Sequence, residues 1–599
     1  MGKEKKRDEI NDEVKWDLSS LYTNEDQWFN DLNTLEKEIE KFSQFDGTLN
    51  TASKLLEYLK FEDQVSIKLE KLYTYAHLKF DEDTTNAKTQ AMKGKASKLY
   101  ADFSLATSFV IPELMKLSLT DIQDFLKKEP LLKEYEYNLL NIMRFKPHVL
   151  SNSEEKLLSQ LQRTLDNPEA TAAYLRDADM KFGFIHDENG NEVELTNSNY
   201  SVYIASENRE VRKAAFYTLY KAYKNLQNTF ASAYYGKVIY DNTNAQIRNY
   251  KDARTAALFG SNISDEIYDN LIVTVNKNLK IMDKYYKMKK EVMGLDEIHI
   301  YDIYSPLLPA STKKYTFEEA KNIVIEALSI LGKQYISDLE KAFSQRWIDI
   351  YPNKGKRDGA YSSGSYTSYP YVLLNFNGLF HDVSTLAHEL GHSMHSYYSI
   401  KNNVYSNYSY QIFVAEVASQ VNEIILARYL IDKADNKNEK LTILDNLMEL
   451  FKSSIVRQTM FAEFEQLTHK SEQEGEVLTS EFLGDNYYKL YQKYSGNEMI
   501  SDKEIRYEWE RIPHFYYNFY VYQYSTGLAA ACYIADGIIN KKEGALDKYL
   551  QFLTLGGSMD PVDELKVAGV DISSPEVIQT AMDMFDKTID EFKKIYNEK

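Results

Sequence analysis

Only 23 glycines and 11 prolines punctuate the 599 residues of this chain, so long stretches contain nothing that stops a helix. Apolar residues recur at helical spacing through most of it, as in Leu55, Leu56 and Leu59 and again in Leu69, Leu72 and Tyr73. The expected class is mainly α. Two alternating runs flank an Asn-Gly turn in FGFIHDENGNEVEL, from Phe182 to Leu195, which is a hairpin signal. That hairpin sets a soft boundary between an N-terminal helical region, 1–195, and a second region, 196–599. Ser206 is a plausible N-cap for the helix that comes next. The stretch 297–306, EIHIYDIYSP, alternates and ends at Pro306, and YPYVLLNF, at 369–376, is strongly strand-like.

The formal net charge is −19 and the pI about 5.2, which argues against nucleic acid as a partner, because phosphate recognition needs a basic surface. The single cysteine, Cys532, lies between Ala529-Ala530-Ala531 and Tyr533-Ile534-Ala535, so it reads as a buried thiol and neither a disulfide framework nor a cysteine-based zinc site is possible. The leading MGKEKKRDEINDEVKWDL carries no apolar core of a secretory signal, and no run of about 18 apolar residues occurs anywhere, so a cytoplasmic protein with no membrane span is expected.

Four of the ten histidines fall at 381, 388, 392 and 395. His388 and His392 are one turn apart in HELGHSMH and project from one helix face, where two imidazoles can share a tetrahedral Zn²⁺. Glu389 between them can then act as general base on the attacking water. At about 100° per residue, with His388 at zero, His392 falls near 40°, His395 near −20° and Gly391 near −60°. Val383, Leu386, Leu390, Met394 and Tyr397 occupy the opposite side. The helix therefore has an apolar back and a histidine face, and Gly391 is expected to keep space free for metal or substrate. His395 shares that face. Yet residues i, i+4 and i+7 lie along a line about 10 Å long, which three bonds of about 2 Å cannot easily span.

HELGHSMH, preceded by YVLLNF and followed by FVAEVASQVNE, resembles the M3 family of zinc metallopeptidases, and within it the oligoendopeptidase F branch, with thimet oligopeptidase a more distant relative. The phrases HFYYNFYVYQYSTG and FLTLGGSMDPVDELKVAGVD resemble the same branch, in the same order, and the similarity runs from about 115 to 590. The resemblance implies a large helical, bowl-like peptidase fold with a deep substrate channel and a small β element beside the zinc helix. It implies short peptides as substrates; the His388/His392 face leads to an expectation of one Zn²⁺ per chain, and 196–599 is expected to be the catalytic region. The resemblance also implies Glu416 as the third ligand beside His388 and His392. Read from the residues alone, Glu416, Gln420 and Glu423 form one polar stripe on an otherwise apolar helix at about 411–430, and such a stripe can equally face water. Glu423 is a candidate for orienting a ligand histidine.

A zinc site with a carboxylate base still needs donors for the oxyanion. His514, Tyr517, Tyr520 and Tyr524 share a face spanning about 120° if 514–530 is one helix. Spacing alone also fits ordinary core aromatics in a chain with 48 tyrosines. The resemblance favours His514, Tyr517 and Tyr524 as catalytic groups with Glu389. PYVLLNFN can offer a strand edge to an extended peptide, and GAYSSG a loop over the cleft. The expected activity is hydrolysis of internal peptide bonds in short oligopeptides. The alternatives are a zinc carboxypeptidase or dipeptidase on a similar scaffold, and a helical peptide-binding protein with an inactive metal site.

Overall fold

The computed structural model describes residues 5–308 and 313–598. It is 71% helix with little sheet, a mainly α fold. Six helices carry or position the groups of interest: α1 (Ala52–Glu82), α2 (Arg209–Ile247), α3 (Phe380–Asn402), α4 (Ile412–Lys433), α5 (Arg457–Gln473) and α6 (Tyr522–Ile539). The strands are short: β1 (Gly183–His186), β2 (Glu192–Leu195), β3 (Ile298–His299), β4 (Ile348–Asp349), β5 (Tyr361–Ser363), β6 (Tyr371–Leu373) and β7 (Met499–Ile500).

Two compact units emerge, and each is assembled from three separate pieces of chain. The first comprises Met1–Pro147, Lys313–Leu426 and Ile534–Gly569; the second comprises His148–Thr312, Ala427–Tyr533 and Val570–Lys599. Both interleave along the chain, so neither ends at 195. In the second unit, β1 and β2 form the expected antiparallel hairpin, Gly183 opposite Leu195 and His186 opposite Glu192. The N-cap of α2 is Asn208, whose side chain accepts from Glu210 N–H, while Ser206 Oγ accepts one step earlier, from Asn208 N–H. The alternating 297–306 stretch is extended only as β3, which pairs in parallel with β7, and then tightens into a 3₁₀ turn at Ile300–Asp302.

The first unit is built around α1. Thr51 caps its start, and Leu55, Leu69 and Leu72 are fully or almost fully buried against Trp28, Leu35 and Phe42 in one apolar cluster. Tyr371 and Leu373 of β6 join that cluster, so the small sheet grows out of the core. The sheet has the order β4-β6-β5, with β6 parallel to β4 and antiparallel to β5. YPYVLLNF therefore supplies the central strand and not an edge, because both sides of it are already paired. The edges are β4 and β5, and β5 comes from the GAYSSG segment, which its sequence alone marks as a loop. Helix α3 packs on β5 and β6. Ser362 of β5 and Ser393 of α3 join hydroxyl to hydroxyl at 2.9 Å.

Beneath the sheet lies Lys356, a buried ammonium that pairs with Asp349 at 2.7 Å and donates to the carbonyls of Asp349, Tyr351 and Leu374. Arg7 is the second cation on Asp349. One amine thus fastens the ends of β4 and β6. Lys356→Met is expected to cost about 3–5 kcal/mol, the usual penalty for orphaning one member of a buried ion pair, read as a lower urea midpoint.

Candidate metal centre and catalytic groups

Helix α3 forms as its apolar back predicts: Val383, Leu386, Leu390 and Met394 are all buried. His388 and His392 leave the other side. Glu416 reaches them from the second turn of α4, its Oε2 lying 3.4 Å from His388 Nε2 and 3.5 Å from His392 Nε2. The two Nε2 atoms are 3.2 Å apart. For bonds of about 2.0–2.1 Å, the edge of a tetrahedron is about 3.3–3.4 Å, so these three atoms have the spacing of one face of a tetrahedral zinc site. Among the described residues they are the one group of three or more His, Cys, Asp or Glu side chains able to hold a metal ion.

The electrostatics fit a cation as well. Burial opposes charge on His388, but the 3.0 Å hydrogen bond from its Nδ1 to Glu423 Oε1, with the charges of Glu423, Glu389 and Glu416, raises it to about 9. Burial likewise opposes charge on Glu416, yet the hydrogen bond and charge of His392, then His388 and Ser419, draw it down to about 2. A negative pocket holding a proton on imidazole is one where a metal ion can take the proton's place. Glu423 also fixes the His388 ring with Nε2 turned toward Glu416. Glu389 is not part of that converging group; it is 7% exposed, and burial raises its carboxyl above the ordinary range.

Two expectations about α3 need correction. Gly391 does not line the cavity: a Cβ there would stand 2.5 Å from Ser419 Cα and 2.7 Å from the Ala418 carbonyl oxygen. The glycine lets α3 and α4 touch backbone to backbone. His395, expected near the cavity, is 1% exposed and stacks on Tyr410 at 3.8 Å with Phe552 beside it. Burial lowers it to about 3, an imidazole kept neutral in the core.

Sequence reasoning misses two groups. Ser419 donates to Glu416 Oε2 at 3.0 Å, and the buried Asn422 amide donates to the Ala387 carbonyl at 3.0 Å, tying α4 to the turn that carries His388. The signal for Ser419 is its place three residues after Glu416 on one helix face.

In the second unit, 514–530 is not one helix. A 3₁₀ turn at Pro513–Tyr516 is followed by Asn518 and Phe519, both left-handed with φ of 50° and 56°, and α6 begins only at Tyr522. The break gathers the rings. A continuous helix would set His514 and Tyr524 about 15 Å apart along its axis. Their ring centroids are 5.9 Å apart, and those of Tyr517 and Tyr520 lie 5.5 and 6.3 Å from His514. The Tyr524 hydroxyl is 3.4 Å from His514 Nε2. Burial lowers the His514 pKa, keeping the ring neutral.

Residues 202–584 match the family described as Peptidase family M3, and 113–182 match the one described as Oligopeptidase F. The chain belongs to peptidase family M3. Among M3 relatives, Oligopeptidase PepF of Bacillus subtilis (strain 168) is 43% identical over 98% of this chain and 88% of its own. Group B oligopeptidase PepB of Streptococcus agalactiae is 40% identical over 98% of each. The crystal structure of oligoendopeptidase-F from Enterococcus faecium aligns with a TM-score of 0.74 at 36% identity, covering 96% of this chain and 100% of that one. A crystal structure from Chlamydophila abortus aligns with a TM-score of 0.94 at 38% identity, covering 99% and 100%. The M3 peptidase is thus a hydrolase whose histidine pair and Glu416 converge, and no helix among its described residues is long and apolar enough to cross a membrane.

Three substitutions test the helix pairing and the donor set. Gly391→Ala is expected to push α4 away, destabilising the fold by about 1–3 kcal/mol. Calorimetric zinc titration should show it weakening metal binding about tenfold or more. In the same titration Glu416→Ala weakens binding severely and His395→Ala only slightly.

Proposed function

We propose that the chain is a cytoplasmic zinc endopeptidase that hydrolyses internal bonds of short oligopeptides, with His388, His392 and Glu416 as ligands and Glu389 as general base. The observation that carries this reading is the triangle of 3.2, 3.4 and 3.5 Å between two imidazole nitrogens and a carboxylate oxygen, with a buried carboxyl one residue from the first histidine. Two imidazoles and one carboxylate suit zinc better than the all-oxygen shells that magnesium and calcium prefer. The names of the relatives, oligopeptidase and oligoendopeptidase, support short peptides and internal bonds.

When bound, zinc supplies Lewis acidity, polarising the scissile carbonyl and making water a nucleophile at neutral pH. Glu389 takes the proton of the attacking water on its carboxylate; burial makes that carboxylate more basic than usual. The same carboxyl then delivers the proton to the leaving amine nitrogen. Glu423 takes no proton in this step; it holds the His388 ring in place. His514, Tyr517 and Tyr524 are the donors for the oxyanion, a role supported by the family resemblance and by the gathering of their rings. The net charge of −19 supports partners other than nucleic acid and anionic membrane surfaces.

Purified protein is expected to carry about one equivalent of zinc. Glu389→Gln should keep that zinc and lose about 10²–10⁴-fold in kcat on an oligopeptide blocked at both ends. Near-wild-type turnover by Glu389→Gln would remove the proposed base. Failure of the native protein to cut the blocked peptide while cutting a free one would make it an exopeptidase.

A further inference from the structure

The turn that gathers the four rings has a conformation its own residues do not favour. Asn518 tolerates the left-handed region, but Phe519 does not, and neither is glycine. Something outside the segment must hold it, and the structure contains one such contact. Glu465 of α5, with 0% exposure, accepts the Phe519 backbone N–H on Oε1 at 2.5 Å. Its other oxygen, Oε2, is buried with no hydrogen-bond partner among the described residues. The carboxyl is therefore not held in a salt bridge or a wider network there. Its side-chain hydrogen bond goes to the backbone of the turn.

The surroundings lock that contact. The Phe519 ring is 3% exposed and packs against His469 at 4.6 Å and Tyr268 at 5.8 Å. His469 follows Glu465 by one turn of α5, its Nδ1 bonded to the Glu465 carbonyl at 2.9 Å and its Nε2 lying 3.3 Å from Asp241. The Tyr268 hydroxyl donates to the Ala462 carbonyl, also on α5. Helix α5 thus supplies the acceptor for the Phe519 amide and, with His469, one wall of the slot for its ring; Tyr268, tied to α5 through its hydroxyl, supplies another. Released from this grip, Asn518 and Phe519 would relax to right-handed backbone, and Tyr524 would move away from His514 toward the separation of a continuous helix.

We propose that Glu465 is a positioning residue for catalysis: by accepting the Phe519 amide it holds the left-handed turn that brings His514, Tyr517, Tyr520 and Tyr524 into one constellation. This rests on the reading of those rings as donors to the reacting carbonyl. Burial raises the Glu465 carboxyl to about 8, so near neutral pH it is a neutral acid whose carbonyl oxygen accepts the amide. A glutamine amide offers the same oxygen in the same place, whereas methionine fills the space and offers no comparable acceptor.

The test is steady-state kinetics of full-length Glu465→Met, Glu465→Gln and Glu465→Asp on a doubly blocked oligopeptide, with zinc content and near-UV circular dichroism measured alongside. Misplacing catalytic groups by about 1 Å costs on the order of 100-fold, so Glu465→Met should lose about 10- to 100-fold in kcat, with KM within about threefold and zinc content intact. Glu465→Gln should restore kcat to within about threefold of the native enzyme. Wild-type kcat in Glu465→Met overturns the proposal, and so does a Glu465→Gln as impaired as Glu465→Met. If Glu465→Met does not fold, Glu465→Asp decides: its shorter arm withdraws the acceptor, and an undiminished kcat overturns the proposal. His514→Gln and Tyr524→Phe run in parallel. If both keep full kcat, the reading of the rings fails and the positioning role falls with it. If they lower kcat while Glu465→Met does not, the positioning role fails alone.

Discussion

The approach of α3 to α4 at Gly391 governs the site. A ligand carboxylate and two ligand imidazoles can meet a single ion only if their helices run close enough for a short side chain to bridge them. With no Cβ at Gly391, the Ser419 backbone and the Ala418 carbonyl can occupy the space where one would project. The Asn422 amide on the Ala387 carbonyl then sets the register of one helix on the other. From that register come Glu416 against both histidines and Glu423 against the back of the His388 ring. Glycine's cost within a helix is the condition for the donor spacing of a tetrahedral site.

The same packing explains the charges. Three glutamates around one imidazole would repel one another and suffer desolvation without a cation between them. In the protein alone the imidazoles partly answer that need: Glu423 is the main group that raises His388, and His392 the main one that lowers Glu416. Glu389 shares the field but lies outside the converging triad; burial raises its carboxyl above the ordinary range. The proposed division of roles, Glu416 as ligand and Glu389 as base, rests on different surroundings, not on different chemistry.

Much of this is legible in the sequence. The i, i+4 spacing of His388 and His392 and the apolar back of their helix follow from helical period alone, and the Asn189-Gly190 hairpin from turn chemistry. Glu416 needs the family resemblance, because a polar stripe on a helix looks the same whether it meets a metal or water. What periodicity gives is azimuth, not occupant. It points Gly391 toward the ligand side, but does not say that a neighbouring helix fills that direction. It runs a helix through Asn518 and Phe519 because no glycine marks the left-handed turn, whose acceptor, Glu465, is remote in sequence. It makes 369–376 an edge because β4, the partner on one side, is only Ile348–Asp349 and leaves no pattern of its own.

Two helices, then, bring two imidazoles and one carboxylate to the spacing of a metal site, and His395 stays in the core. Zinc K-edge X-ray absorption on the chain loaded with one equivalent of Zn²⁺ reads that shell itself. The spectrum should show a four-coordinate shell of nitrogen and oxygen at about 2.0–2.1 Å, with the multiple-scattering signature of two imidazoles. A shell with three imidazoles would place His395 on the metal and contradict this arrangement.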